Sequence, residues 1–583
     1  MCGWILAVLL CAFGSAAQAQ PNFVIILIDD AALMDLGAYG GEARTPHIDA
    51  LAARGALFTQ YRSSPLCAPS RAMLLTGVDN HRTGVATIPE VLPPEHIGKP
   101  GYTMHLEPGV LTVADRLKPL GYRTMMAGKW HMGSGPGDLP NDHGFDRSFA
   151  LDASGADNWE DRSYFPYYAD APWFEDGEAA DLPEDFYSSA FIVDKTIEYL
   201  QTTPEDDPFL AFLGFQAVHI PVQAPAEFTA KYRDTYTDGW AAMQAKRWDR
   251  ARTLGLVSSD AAMPDFHERL RAWDGLSEDE KDLFAARMAV NAGMLEAMDH
   301  HIGRFIDHLA EEGLLEDTVF VVTSDNGSEP STPGVPPLSW WLAATGYRTG
   351  LEDIGEKGSY VFIGPEYASA ASTPSALFKF YAAEGGLRVP LIMAGPGIEA
   401  GQRLDAMTLV TDIAPTILDL AQAGPAPANS VSIDGRSLMP LVSGEADTIY
   451  GPETPIGMEV SGNAALYKGD FKIARNQPPY GDGQWHLFNI AEDPGETRDL
   501  AEARPDIFAN LQADYEAYAD RVGVLEIPPG YSSTTQVARN VASVFLHRHL
   551  VPIAAIGAAL LLFIVFLVSQ IFRAIWPKRS RSG

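Results

Sequence analysis

Phe23-Val24-Ile25-Ile26-Leu27-Ile28-Asp29-Asp30 is an unbroken apolar run, rich in β-branched residues, that stops on two carboxylates. A run with no polar alternation is the signature of a strand buried on both faces, as in a parallel sheet. Similar runs recur at Tyr122–Ala127, Phe209–Phe215, Thr318–Thr323 and Val389–Ala394, with helical periodicity between several of them, as in Phe191–Leu200 and Ala289–Leu309. Strands alternating with helices predict an α/β fold: a large mixed, mostly parallel sheet sandwiched by helices. Ligands collect beyond the carboxyl ends of such strands. Polar residues follow the runs there: Asp29 and Asp30, Lys129 and His131, His219, and Asp325 with Asn326. One site could collect them all.

Working outward, Pro65-Leu66-Cys67-Ala68-Pro69-Ser70-Arg71 precedes a short apolar run that ends at Gly77. Pro69 suits a first helical turn, so Cys67 is expected at a helix N-terminus, where free N–H groups and the dipole favour negative charge. Arg71 adds a fixed cationic fork. Geometry alone suggests a low-pKa thiolate, against the commoner buried structural cysteine. Lys129 and His131 alternate at a strand end and so can face one pocket, although either alone reads as an ordinary surface residue. Facing carboxylates repel, and a divalent cation is the usual remedy. Oxygen-only ligands suit calcium or magnesium over zinc, while each Asp pair alone could be a helix cap or Asx-turn.

The chain has 583 residues, 46% hydrophobic content and a formal net charge of -34. Length allows a large domain plus a smaller one, and the acidic balance argues against nucleic acid as a partner. Met1–Gln20 reads as an export signal, with an apolar run from Trp4 to Phe13 and Ala17-Gln18-Ala19 before a cleavage point, but with no Lys or Arg ahead of the run. Removal of 1–19 takes Cys2 and Cys11 away and leaves Cys67 alone, unable to pair internally. Leu550–Phe572 is uncharged and long enough to span a bilayer. Arg573, Lys578, Arg579 and Arg581 follow it, which predicts a cytoplasmic tail (573–583) and an exported body.

The catalytic α/β region is expected over 20–449, with insertions near 155–185 and 224–282. Trp159, Tyr164 and Trp173 in the first insertion could stack on a substrate ring or simply pack. Alternating short runs from Tyr450, then an amphipathic stretch Ile507–Arg521, predict a smaller C-terminal α+β subdomain over 450–527. Residues 528–549 are expected as a linker to the transmembrane helix.

Cys67-Ala68-Pro69-Ser70-Arg71 with Leu75-Thr76-Gly77 resembles the signature of the type I sulfatases. Gly121-Tyr122-Arg123-Thr124 with Gly128-Lys129-Trp130-His131 resembles the second signature of that family. The segments Gly214–Pro221, Ser372–Pro390 and Trp485–Glu496 are also similar to family segments, so the likeness spans about Pro21 to Leu500 and is nearest the bacterial arylsulfatases.

The resemblance implies the alkaline phosphatase-superfamily fold, and conversion of Cys67 to formylglycine (3-oxoalanine) by a formylglycine-generating enzyme. It implies one calcium ion on Asp29, Asp30, Asp325, Asn326 and residue 67. It implies cleavage of a small-molecule sulfate ester, with aryl sulfates foremost. In that scheme Arg71, Lys129 and His131 hold the sulfate, His219 and Lys379 protonate the leaving oxygen, and Asp325 takes the nucleophile's proton. Arg388 is expected to be structural. A phosphonate or phosphodiester hydrolase of the same superfamily and a catalytically silent membrane-tethered module are the rival readings.

Overall fold

Val24, Ile26 and Ile28 enter one hydrophobic core, while Phe23, Ile25 and Leu27 enter another on the opposite face of the same strand. The run without alternation therefore lies in the middle of a sheet covered on both sides. The computed structural model describes residues 20–202, 207–333 and 336–575. The expected export signal and the tail beyond Ile575 lie outside the described residues.

The main sheet has ten strands. Asn22–Ile28 pairs in parallel with Phe209–Gly214 on one side and Thr318–Ser324 on the other. Arg123–Lys129 continues the parallel set beyond Phe209–Gly214, followed by Arg147–Leu151. The flanks change direction. Leu391–Ala394 runs antiparallel to Thr318–Ser324 and to Gly55–Phe58, with Gln402–Leu404 beyond. At the other edge Trp173–Glu175 and Glu178–Ala179 add antiparallel strands. The segment expected as an insertion near 155–185 thus contributes two edge strands.

The long helix Glu278–Glu311 and the helix Ser188–Gln201 supply one covering layer. The helices Cys67–Thr76 and Ile413–Leu420 supply the other. The helix Glu278–Glu311 begins inside the stretch read as the second insertion, on a Ser277 capping box. Trp240 from that stretch is buried against Trp273, Phe284 and Tyr367.

Four antiparallel strands, Ile456–Val460, Asn463–Lys468, Phe471–Arg475 and Trp485–Asn489, form the smaller C-terminal sheet. The helix Pro505–Val522 buries Leu511, Tyr515 and Tyr518 on it. Buried charges join this unit to the main body. Glu384 accepts from Arg62, Lys472 and the Tyr467 hydroxyl at 2.8, 2.9 and 2.6 Å, and Lys472 also pairs with Glu496 at 2.7 Å.

The stretch 528–549, expected as a linker, is helical from Ser533 onward. Ser533–Ile575 is a continuous helix with Pro552 inside it. Its start docks on the body: just ahead of it Tyr531 donates to the Val91 carbonyl at 2.9 Å, and Gln536 within it is 3% exposed. The run from Ser533 to Val551 has neither Gly nor Pro, so nothing local stops a helix there. Ala554–Arg573 is, among the described residues, the helix long and apolar enough to cross a membrane, with a mean hydropathy of 2.6 and no part of it buried.

Burial alone would raise the Glu384 carboxyl, but Arg62 and Lys472 overrule it and hold it well below the usual carboxylate range. A depressed carboxyl contributes stability that is complete above its unfolded pKa of about 4.3 and fades as pH falls below that value. Glu384→Ala takes the carboxylate partner from the buried Arg62 and leaves Lys472 only Glu496, so it is expected to lower unfolding free energy by about 3–5 kcal/mol. Denaturant unfolding at pH 7 checks this, and a loss under about 1 kcal/mol would contradict the role given to the pair.

Candidate active site

Four neighbouring parallel strands end at one place. Asp29 and Asp30 follow Ile28, Asp325 and Asn326 follow Ser324, His131 lies just past Lys129, and His219 lies past Gly214. Asp30 and His131 sit at φ of 67° and 61°. These are left-handed values uncommon for side-chain-bearing residues, and their presence where chemistry-bearing groups converge is informative.

Cys67 is the first residue of the helix Cys67–Thr76, behind an extended Leu66, and Gly77 ends the helix at φ 71°. The Ser70 hydroxyl donates to Leu66 O at 2.9 Å and accepts from Ser63 Oγ and Ser64 N. Ser63 Oγ also meets Asp325 O at 2.6 Å. The two serines therefore fix the helix start to the strand end that carries Asp325. Pro65 O accepts from Phe380 N at 2.9 Å, and Ser328 O accepts from Lys379 N at 3.1 Å, which brings Lys379 to the same spot.

The carboxylates gather as the sequence suggests. Asp30 N lies 3.2 Å from Asp325 Oδ1, and Asn326 Nδ2 donates to Asp30 Oδ1 at 2.6 Å. Ligand atoms of Asp29, Cys67 and Asp325 all lie within 4.8 Å of one another. Asp29 Oδ1 and Asn326 Oδ1 are buried without a hydrogen-bond partner. Orphaned buried oxygens beside clustered carboxylates fit a hard divalent cation. Asp30, His219 and Glu329 form a second such cluster, but the Lys379 ammonium fills it, at 2.8 Å from both Asp30 and Glu329. Glu329 was not found from the sequence. Its one signal was position, a few residues past Asp325-Asn326 in the same loop.

The cations are held tightly. Arg71 Nε and Nη2 donate to Asp325 Oδ2 at 3.0 and 2.7 Å, and Nη1 donates to Lys129 O at 2.7 Å. Its guanidinium thus holds Asp325 in place, where the sequence suggested a direct grip on an anion. Lys129 Nζ donates to Asp29 Oδ2 at 2.6 Å. His131 Nδ1 is 3.4 Å from Cys67 Sγ, while its buried Nε2 has no partner. His219 Nδ1 donates to Ile220 O at 2.6 Å, which leaves Nε2 facing Asp30 Oδ2 at 3.8 Å. Arg388 donates to the backbone carbonyls of Thr59 and Leu256, a structural part. Trp173 stacks on Phe149 as packing, and Tyr164 meets the His219 ring edge-on at 5.3 Å.

Burial dominates the titration of these groups. It pushes the Cys67 thiol up to about 11, so the low-pKa thiolate suggested by the helix start does not form here. Burial, then Asp325, raises Asp29 well above the carboxylate range, and burial raises Asp30 to about 6. Burial would raise Asp325 too, but Arg71 and Lys129 outweigh it and hold that carboxyl low. Burial and the neighbouring cations, Lys129 for His131 and Lys379 for His219, keep both imidazoles neutral.

Calcium is expected to raise the melting temperature of the protein, with about 2.7 kcal/mol added at a free concentration one hundred times its dissociation constant. Chelation should reverse the shift, and Asn326→Ala, which removes one orphaned oxygen, should shrink it. Identical melting with calcium and with chelator would remove the cation from this site.

Comparison with known proteins agrees with this geometry. The Sulfatase family profile matches residues 21–423, and the profile for the C-terminal region of N-sulphoglucosamine sulphohydrolase matches 377–518. An arylsulfatase of Klebsiella aerogenes is 34% identical over 73% of this chain and 91% of its own. An uncharacterised sulfatase of Schizosaccharomyces pombe is 33% identical over 91% and 98%. The crystal structure of Ps i-CgsB shares the fold at a TM-score of 0.61, with 21% identity over 90% of this chain and 97% of that one. A cysteine at a helix start, ringed by strand-end carboxylates and buried cations, is thus met in a chain that belongs to the sulfatase family and hydrolyses sulfuric esters.

Proposed function

We propose that the protein cleaves sulfate monoesters, aryl sulfates foremost, with residue 67 oxidised to formylglycine and a calcium ion on Asp29, Asp30, Asp325 and Asn326. The observation that carries this reading is the pair of partnerless buried oxygens, Asp29 Oδ1 and Asn326 Oδ1, at the strand ends where ligand atoms of Asp29, Asp325 and Cys67 cluster. When present, the oxidised side chain supplies a geminal diol, one hydroxyl to attack sulfur and one to let the sulfate go, and the cation supplies Lewis acidity beside it.

The chain's own residues handle the protons. Asp325, kept ionised by Arg71, accepts the proton of the attacking hydroxyl. Lys379, protonated between Asp30 and Glu329, and His219 through Nε2 face the leaving oxygen. Burial and Lys379 keep His219 neutral, and an arriving anion raises its affinity for a proton, as nearby negative charge does. His131, beside residue 67, is placed to take the proton released when sulfate departs. Lys129 neutralises Asp29 and carries positive charge close to the anion.

The apolar helix Ala554–Arg573 supports a membrane anchor. With the basic residues Lys578, Arg579 and Arg581 following, the tail would be cytoplasmic and the body exported. A formylglycine-generating enzyme is the implied maturation partner.

Two measurements test the reading. The peptide around residue 67 should be ~18 Da lighter than its thiol form, since an aldehyde replaces CH₂SH, and thiol throughout would exclude the conversion. Cys67→Ser has one hydroxyl where the diol has two, so it should accumulate sulfated protein and turn over at least about 10²-fold more slowly. Sustained turnover by that variant, or preference for an aryl phosphonate over an aryl sulfate, would overturn the assignment.

A further inference from the structure

The first half of the last helix reaches the catalytic pocket through a chain of contacts. Asn540 Nδ2 faces three carbonyls of one short turn, Pro89, Glu90 and Leu92, at 3.3, 3.0 and 2.9 Å. Gln536 Nε2 holds the other end of that amide, donating to Asn540 Oδ1 at 2.9 Å. Glu90 in the turn is 3% exposed, and its Oε1 accepts from Ser154 Oγ and Tyr168 OH, both at 2.6 Å. Ser154 Oγ also bonds the Tyr164 hydroxyl.

Both branches then end on His219. The Tyr164 ring lies edge-on to the imidazole. Gly155, next to Ser154, packs so closely that a Cβ there would come within 2.5 Å of His219 Nδ1. A second tie joins the same helix to the same loop, from Arg548 Nη2 to Tyr167 O at 2.8 Å.

We propose that Asn540 is a positioning residue for the reaction: it fixes the 89–92 turn, Glu90 fixes Ser154, Tyr164 and Gly155, and these hold His219 at the angle from which Nε2 meets the leaving oxygen. This rests on the acid role given to His219 under the proposed function. Buried hydrogen-bonded chains transmit placement because each link is closely packed and costly to leave unpaired. The helix therefore acts on the active site through this chain as well as leading into the apolar segment.

Loss of a well-placed acid is felt by poor leaving groups and hardly at all by good ones, which need no proton. That difference separates positioning from general loosening. The full chain, purified in detergent, is assayed on 4-nitrophenyl sulfate and on the less activated phenyl sulfate. Asn540→Ala is expected to lower kcat on phenyl sulfate at least about tenfold while changing 4-nitrophenyl sulfate less than about twofold. Tyr164→Phe cuts the tie to Ser154 by a single oxygen and should show the same split, so it carries the test even if Asn540→Ala fails to fold. Equal losses on both substrates, or no loss on either, would overturn the proposal. A wild-type chain inactive on both would instead strike the proposed hydrolase reading itself.

Discussion

Charge buried away from water must be matched nearby, and that constraint shapes this pocket more than any other. Four carboxylates, Asp29, Asp30, Asp325 and Glu329, face three cations, Arg71, Lys129 and Lys379, and every one of these side chains is buried. The two histidines add nothing while neutral. Fully ionised, the set carries one surplus negative charge, which would repel an anionic ester. A bound divalent cation would reverse that sign and leave the pocket with one surplus positive charge, the complement of a sulfate monoester. Positive groups held in a dry site act on an anion far more strongly than they would in water.

The same constraint explains the division of labour among the cations. Arg71 and Lys129 are fastened to Asp325 and Asp29, so they set which carboxylates stay ionised and where those carboxylates point. Lys379 bridges Asp30 and Glu329 on the other side, next to His219. A carboxylate held ionised by Arg71 and an ammonium held by Asp30 and Glu329 thus stand in one buried pocket, an acceptor and a donor of protons. Burial makes the unmodified thiol a poor nucleophile, which accords with chemistry at residue 67 that does not depend on a thiolate.

Much of this was legible in the sequence because the signals were local. Phe23–Ile28 announces a buried central strand by composition alone, and Asp29-Asp30 must then lie at its carboxyl end. The turn from Pro65 to Arg71 announces a helix start, and the helix begins on Cys67. What could not be read depends on contacts distant along the chain. Glu329 gains its meaning from Lys379, and Ser63 and Ser70 gain theirs from the Asp325 backbone. Glu90 is an ordinary acid until Ser154 and Tyr168 close on it. Residues 528–549 read as a spacer because their polar face, carrying Gln536 and Asn540, gives no hint that it meets a turn some 450 positions earlier.

A helix that runs without interruption from a docked surface into an apolar segment behaves as a mast rather than a leash. From Asn540 to Ala554 the rise is about 20 Å at 1.5 Å per residue. Were Ala554–Arg573 embedded in a bilayer, the height of the catalytic mouth above the lipid would be set within narrow bounds. The working volume would then be a thin layer over the bilayer, reached by molecules sliding on that surface in two dimensions instead of searching in three.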